Sequence, residues 1–129
     1  AKRRVEVILI LPHIPDKKTA FSLAHTYYPP LLESGVQIYE YTPGFVHAKV
    51  FVSDDVKAVV GTINLDYRSL YHHFECAAFL YKTPVIHEIE EDFNRTLALC
   101  QSMSREDLKK DPLRWRVCGR LLKVLAPLM

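Results

Sequence analysis

Cysteine is scarce in this chain, and its spacing is uninformative. Cys76, Cys100 and Cys118 are the three present in 129 residues, and no two stand in C-x-x-C order. A disulfide framework and a structural zinc site are therefore not expected, and a reducing compartment suits the composition better. Each thiol reads as a small buried hydrophobe. Long apolar runs are missing as well. Nothing approaches the ~20 residues that span a bilayer, and no secretory leader opens the chain. The start, A-K-R-R, has no Met and runs straight into apolar sequence, as a segment of something longer would. Excess charge of one sign is also absent: 17 basic against 15 acidic residues give a formal +2. General polyanion binders are far more basic, so no nucleic-acid partner is expected. Repeats, low-complexity tracts and linkers are lacking, and the length suits a single domain over 1–129 that buries roughly two thirds of its unfolded surface.

What is present patterns as α/β. Val5 to Leu11 is an apolar, β-branched run, read as a strand covered on both faces. Thr19 to Ser34 looks helical up to Gly35, with a break near Tyr28 and a short second helix from Pro30, because Pro29-Pro30 is tolerated only at a helix start. Strands are expected at Val36–Tyr41, Val46–Ser53, Lys57–Ile63 and Phe74–Tyr81, with turns at Pro43-Gly44 and Asp54-Asp55 and irregular chain over 64–73. Thr83 is the expected cap of a helix opened by Pro84, with an apolar face of Ile86, Ile89, Phe93, Leu97 and Cys100. Ser104 caps a short helix, and a last helix runs from Pro112 to about Leu125. The order points to one mixed β-sheet covered by helices.

Chemistry concentrates in H-A-K-V-F-V-S-D and the later G-T-I-N. Residues two apart on a strand face one way, so His47 and Lys49 share a side. A hairpin through Asp54-Asp55 would set His47 opposite about Thr62, with Asn64 on the same parity and Gly61 leaving room. Imidazole serves as nucleophile, acid or base near neutral pH. Lysine offers a compact charge to phosphate oxygens, and asparagine donates hydrogen bonds to developing charge. No carboxylate, His and Cys cluster suggests a metal, and no cofactor is expected. Phosphoryl chemistry by histidine fits this set. Glu75 stands alone on an apolar strand, where a buried acid needs a partner such as an imidazole.

His47, Lys49, Asp54, Gly61, Thr62 and Asn64 match the pattern H-x-K-x4-D-x6-G-[ST]-x-N, which resembles the signature of the phospholipase D superfamily. Y-E-Y-T-P-G-F-V-H-A-K, G-T-I-N-L-D-Y-R-S and H-F-E are similar to the second catalytic half of bacterial cardiolipin synthases, over about Val5 to Leu128. Pro29-Pro30 and Tyr71-His72-His73 depart from that likeness outside the signature. The resemblance implies a phospholipase D-like half-domain and an active site assembled from two halves. One His attacks phosphorus and forms a phosphatidyl-histidine, while the other acts as general acid and base. In a second half, His47 would be the acid/base, with the swapped assignment still open. Lys49, Thr62 and Asn64 would hold phosphate oxygens, Glu75 would pair with the catalytic imidazole, and Asp54 would have a structural part. The implied substrate is phosphatidylglycerol, the product cardiolipin plus glycerol, and the place the cytoplasmic membrane of a bacterium, this segment itself being soluble. The missing N-terminal catalytic half, or a second copy in a homodimer, would complete the site.

Two other readings come from the same residues. One is a metal-independent phosphodiesterase or nuclease working as a homodimer; the other is a silent binding module, which the intact His, Lys and Asn argue against. His72-His73 read as loop residues, and His13, His25 and His87 have no spaced partner. Asp66 and Arg68 suggest an ion pair under the site, or groups that help hold substrate. The last helix, with Arg114, Trp115, Arg116, Arg120 and Lys123, suits either an anionic membrane surface or packing on the core or the missing half.

Overall fold

The computed structural model describes residues 1–128. Its contacts divide the chain into two compact units, one of Ala1–Val46 with Leu99–Ala126, the other of His47–Ala98 with the residues from Pro127 on. The α/β class and the mixed sheet hold, but the strands divide between two three-stranded sheets instead of forming one.

In the first unit, β1 (Ile8–Pro12) lies parallel to β2 (Gln37–Tyr41), with Ile8 opposite Gln37. A parallel pair needs a crossover, here α1 (Lys18–His25) and α2 (Tyr28–Glu33). The break expected near Tyr28 is present, and Pro29-Pro30 occupies the first turn of α2, where a missing N–H costs nothing. Tyr28, Val36, Ile38 and Leu108 form the core, with Leu9, Leu11, Ala24 and Met103 packed on it. The other edge of β2 is taken by β6 (Cys100–Ser102), antiparallel, with Tyr39 opposite Ser102. Cys100 therefore belongs to a strand and not to the helix face expected of it. C-Q-S carries no periodic signal, and only the free edge of β2 makes it a strand.

Ser104 caps α4 (Arg105–Lys109) as expected, in a reciprocal box with Asp107. The last helix, α5 (Leu113–Leu125), packs along α1. The approach is close at Gly119, where a Cβ would lie 2.2 Å from the Ser22 carbonyl oxygen.

At the centre of this unit Glu40, 1% exposed, joins two histidines that the sequence left unpartnered. Its carboxylate meets His13 Nδ1 at 2.8 Å and His25 Nε2 at 3.0 Å, and accepts the Tyr28 hydroxyl at 3.1 Å. His25 Nδ1 lies 2.7 Å from Asp111 Oδ2. Burial works against the imidazolium of His25, but hydrogen bonds to Glu40 and Asp111 and their charges outweigh it and raise its pKa above the ordinary value. Burial likewise opposes ionisation of Glu40, and the bonds from His25, His13 and Tyr28 overcome it, leaving the carboxyl below its ordinary range. Burial, with Glu40 second, pushes the Tyr28 hydroxyl well above its usual pKa.

The second unit is an antiparallel meander of β3 (Val50–Ser53), β4 (Lys57–Gly61) and β5 (Ala77–Tyr81). All three are shorter than expected. Asp54 and Asp55 turn the first hairpin at φ 53° and 55°, a left-handed conformation that Asp tolerates better than most residues. α3 (Val85–Leu97) packs against β3, with Ile86 and Ala58 each 1% exposed. Its cap position is Pro84, not Thr83, whose carbonyl only accepts the Ile86 N–H at 3.1 Å. Part of the stretch expected to be irregular, Arg68–His72, winds into a π-helical turn. His87 faces Glu91 one turn on, at 3.4 Å. None of the three thiols is fully buried, and Cys76 is exposed, against the expectation for small hydrophobes.

Candidate active site

All six residues singled out for chemistry, His47, Lys49, Asp54, Thr62, Asn64 and Glu75, fall in the second unit. The β3–β4 ladder pairs Val50 with Val60, and the Gly61 N–H donates to the Lys49 carbonyl at 3.1 Å. Lys49 is thus opposite Gly61, and the same register carried on sets His47 opposite Ile63. The expected pairing of His47 with Thr62 is wrong by one residue, because the turn takes three residues between Ser53 and Lys57 instead of two. On the far side, Gly61 pairs with Ala77, so continuation brings Glu75 to the parity of Lys49 and His47. This is the same parity as Phe51, Phe79 and Tyr81, all exposed. Ala58 has the other parity, and it is buried.

Gly61 does not leave open space at the site. A Cβ there would stand 2.3 Å from the Cys76 carbonyl oxygen and 2.5 Å from Ala77 Cβ, so glycine lets β4 and β5 approach. Thr62, although of the other parity, lies beyond the last regular pair. Its N–H donates to the Cys76 carbonyl at 3.0 Å, and its hydroxyl, which also receives the Cys76 N–H at 3.1 Å, donates to Glu75 Oε2.

Glu75 is where the site is tied together. Its side chain is 12% exposed, and His73 Nδ1 stands 3.4 Å from Oε1. Hydrogen bonds from Thr62 first, then Ser69, hold its carboxyl below the usual carboxylate range, with the His73 and Lys49 charges adding to the effect. Lys49 is half-buried and its Nζ donates to the His47 carbonyl at 2.7 Å, which curls the long side chain back along the segment that leads into β3. The His47 ring is exposed, as is Asn64 in the segment leaving β4. Asp54 sits in the hairpin turn, roughly 16 Å along the strand from Lys49 at ~3.3 Å per residue. Its carboxylate accepts the Ser53 hydroxyl at 2.9 Å.

The structure therefore brings Lys49, Thr62 and Glu75 together and sets Asp54 apart. Ser69 and His73 were missed as partners of Glu75. Ser69 is buried by the π-helical turn, whose start is fixed by the Asp66 carboxylate accepting the Ser69 N–H at 2.7 Å, and no sequence period announces such a turn. Among the described residues no ion pair joins Asp66 to Arg68. His72 and His73 are more than loop residues: His72 Nε2 meets the Pro127 carbonyl at 2.7 Å. Among the described residues no group of His, Cys, Asp and Glu is placed to hold a metal ion.

The fold that carries these residues has been seen before. A phospholipase D family member, Nuc, from Salmonella typhimurium superposes with a TM-score of 0.66 at 19% identity, over 79% of this chain and 66% of that one. The family described as "Cardiolipin synthase, PLD-like domain" matches residues 1–97, and the chain belongs to that family. An uncharacterized protein of Streptococcus mutans is 55% identical over all 129 residues, which make up 28% of its own length. A cardiolipin synthase of Geobacillus kaustophilus is 41% identical over 125 residues, 97% of this chain and 25% of that protein. A cardiolipin synthase 2 of Bacillus cereus is 38% identical over the same share of this chain. The chain spans about a quarter of the length of these curated relatives. Among the described residues no helix is long and apolar enough to cross a membrane.

Proposed function

We propose that this chain supplies one half of the active site of a bacterial phosphatidyltransferase that makes cardiolipin at the cytoplasmic membrane. Two phosphatidylglycerol molecules are consumed for each cardiolipin and glycerol formed. In the first step a histidine nitrogen attacks phosphorus, the bond to the glycerol headgroup breaks, and the departing oxygen takes a proton from the second histidine. In the second step that histidine removes a proton from the headgroup hydroxyl of another phosphatidylglycerol, whose oxygen displaces the first histidine from phosphorus. His47 is one of the two imidazoles, taken here as the acid/base. The other comes from a complementary half, or from a second copy of the chain. Lys49 and Asn64 hold the non-bridging oxygens and offset the charge gained at phosphorus, whereas Thr62, expected to share that part, gives its hydroxyl proton to Glu75 and its N–H to the Cys76 carbonyl. Glu75 keeps its negative charge through the bonds from Thr62 and Ser69, and so favours a protonated imidazole nearby.

The observation that carries this reading is the carboxylate of Glu75 held by Thr62 and Ser69 within reach of the Lys49 charge, in a chain of the cardiolipin synthase family. The test is phosphatidyl transfer from labelled phosphatidylglycerol by the assembled enzyme with His47 and with His47→Ala. The substitution is expected to lower cardiolipin formation by at least ~10²-fold, the lower end for loss of a positioned acid/base. Undiminished product would remove His47 from the reaction. EDTA-resistant cleavage of a soluble phosphodiester by a dimer of this chain alone would favour hydrolysis over transfer.

A further inference from the structure

The last helix has one face more than its packing uses. Gly119 and Trp115 lie on the side turned to α1, where Gly119 meets Ser22 and the Trp115 ring meets Phe21 edge-on at 5.7 Å. At 100° per residue, Leu113, Val117, Leu121, Val124 and Leu125 fall on a different sector, with Arg114 at its edge between Leu121 and Leu125. All five are exposed, from 48% at Val117 to 78% at Val124. Between these two sectors run Arg116 and Arg120, one turn apart. The helix L-R-W-R-V-C-G-R-L-L-K-V-L contains four cations and no acid.

Arg116 and Arg120 also line a hollow of about 420 Å³ closed on its other side by Arg105 and Lys109 of α4. Asp111 also lines the hollow. Glu33 pairs with Arg105, and Asp111 is engaged by His25. Arg116 and Arg120 thus border both a basic hollow and an uncovered aliphatic stripe. Guanidinium groups match the paired oxygens of a phosphodiester. A stripe of Leu and Val beside them suits neither nucleic acid nor a soluble anion. An anionic phospholipid presents both chemistries, a phosphodiester at the surface and acyl chains beneath it.

We propose that α5 and the hollow between it and α4 form an anionic-phospholipid docking site, with the phosphodiester against Arg116 and Arg120 and the Leu113–Leu125 stripe seated at the acyl boundary. The site uses residues of the first unit alone, so vesicle binding and the His47 chemistry can fail separately. The experiment is flotation of the 129-residue chain with vesicles of phosphatidylglycerol and phosphatidylcholine, or of phosphatidylcholine alone, at physiological salt. Binding is expected only to the anionic vesicles. Arg116→Gln with Arg120→Gln should weaken it about thirtyfold, which corresponds to about 1 kcal/mol per cation for two cations. Leu121→Gln with Val124→Gln should weaken it as well. Lys57→Gln with Lys82→Gln, the same change of net charge in the second unit, should leave it within a factor of about two. Circular dichroism of each variant confirms that it folds. Equal loss in the two charge variants, equal binding to both vesicle types, or no vesicle binding at all would overturn the proposal. Thermal stabilisation by inorganic phosphate without vesicle binding would overturn it in favour of a soluble anion.

Discussion

Glu40→Gln tests the frame of the first unit. Glu40 is 1% exposed and takes three bonds, at 2.8 Å from His13, 3.0 Å from His25 and 3.1 Å from Tyr28. Glutamine preserves the shape, removes the charge, and turns one acceptor into a donor that must face an imidazole N–H or the Tyr28 hydroxyl. A charge-assisted bond contributes about 1.5–3 kcal/mol, and leaving a buried charge without its partner costs about 3–5 kcal/mol. His25 keeps Asp111, so the lower part of that range applies, about 3 kcal/mol. For a chain of this size that is a fall in melting temperature of about 10 °C. Trp115 is the single tryptophan and belongs to this unit, so its fluorescence reports this unfolding. The pH dependence supplies a second check. The His25 pKa is raised on folding, so its contribution is complete below the ordinary His value and is lost as pH rises through the folded value. The Glu40 pKa is lowered, so its contribution is present above the ordinary Glu value and is lost as pH falls. Stability should peak at mildly acidic pH in the parent chain, and Glu40→Gln should flatten that peak. A melting temperature within about 2 °C of the parent at pH 6, well short of the fall worked out above, or an unchanged pH profile, would refute the account.

Gly119→Ala should destabilise the same unit by about 1–3 kcal/mol, since the added Cβ meets backbone that cannot swing aside; a neutral change in the Trp115 melt would show that α1 and α5 are free to separate. Thr62→Val removes the hydroxyl that donates to Glu75, so the Glu75 pKa should rise toward the ordinary value. Carboxyl NMR titration reads this directly, and an unmoved Glu75 would mean that Thr62 does not hold it.

Legibility varied with the range of the interaction. The helix break at Tyr28 could be read because proline acts on its own turn, and Ser104 because a capping box spans three residues. His47, Lys49, Thr62 and Asn64 were legible as a set through spacing, but their facing was not. The register depended on how many residues the Asp54 turn used, and one residue moved Thr62 to the other parity. β6 was illegible because three residues without a periodic pattern acquire a strand only from the edge they meet.

The sequence by itself determined the α/β alternation and the spacing of His47, Lys49, Thr62 and Asn64. The alternation follows from periodicity, proline and glycine, which act within a few residues. The tertiary structure alone decided that Glu40 would join His13 and His25, that His25 would also reach Asp111, that Glu75 would be held by Thr62 and Ser69, and that α5 would keep an uncovered aliphatic stripe beside Arg116 and Arg120. Such pairings link residues 6 to 86 positions apart, and no local preference encodes which of many possible carboxylates will reach a given imidazole or hydroxyl. Packing chooses among them by burying the groups that can satisfy one another.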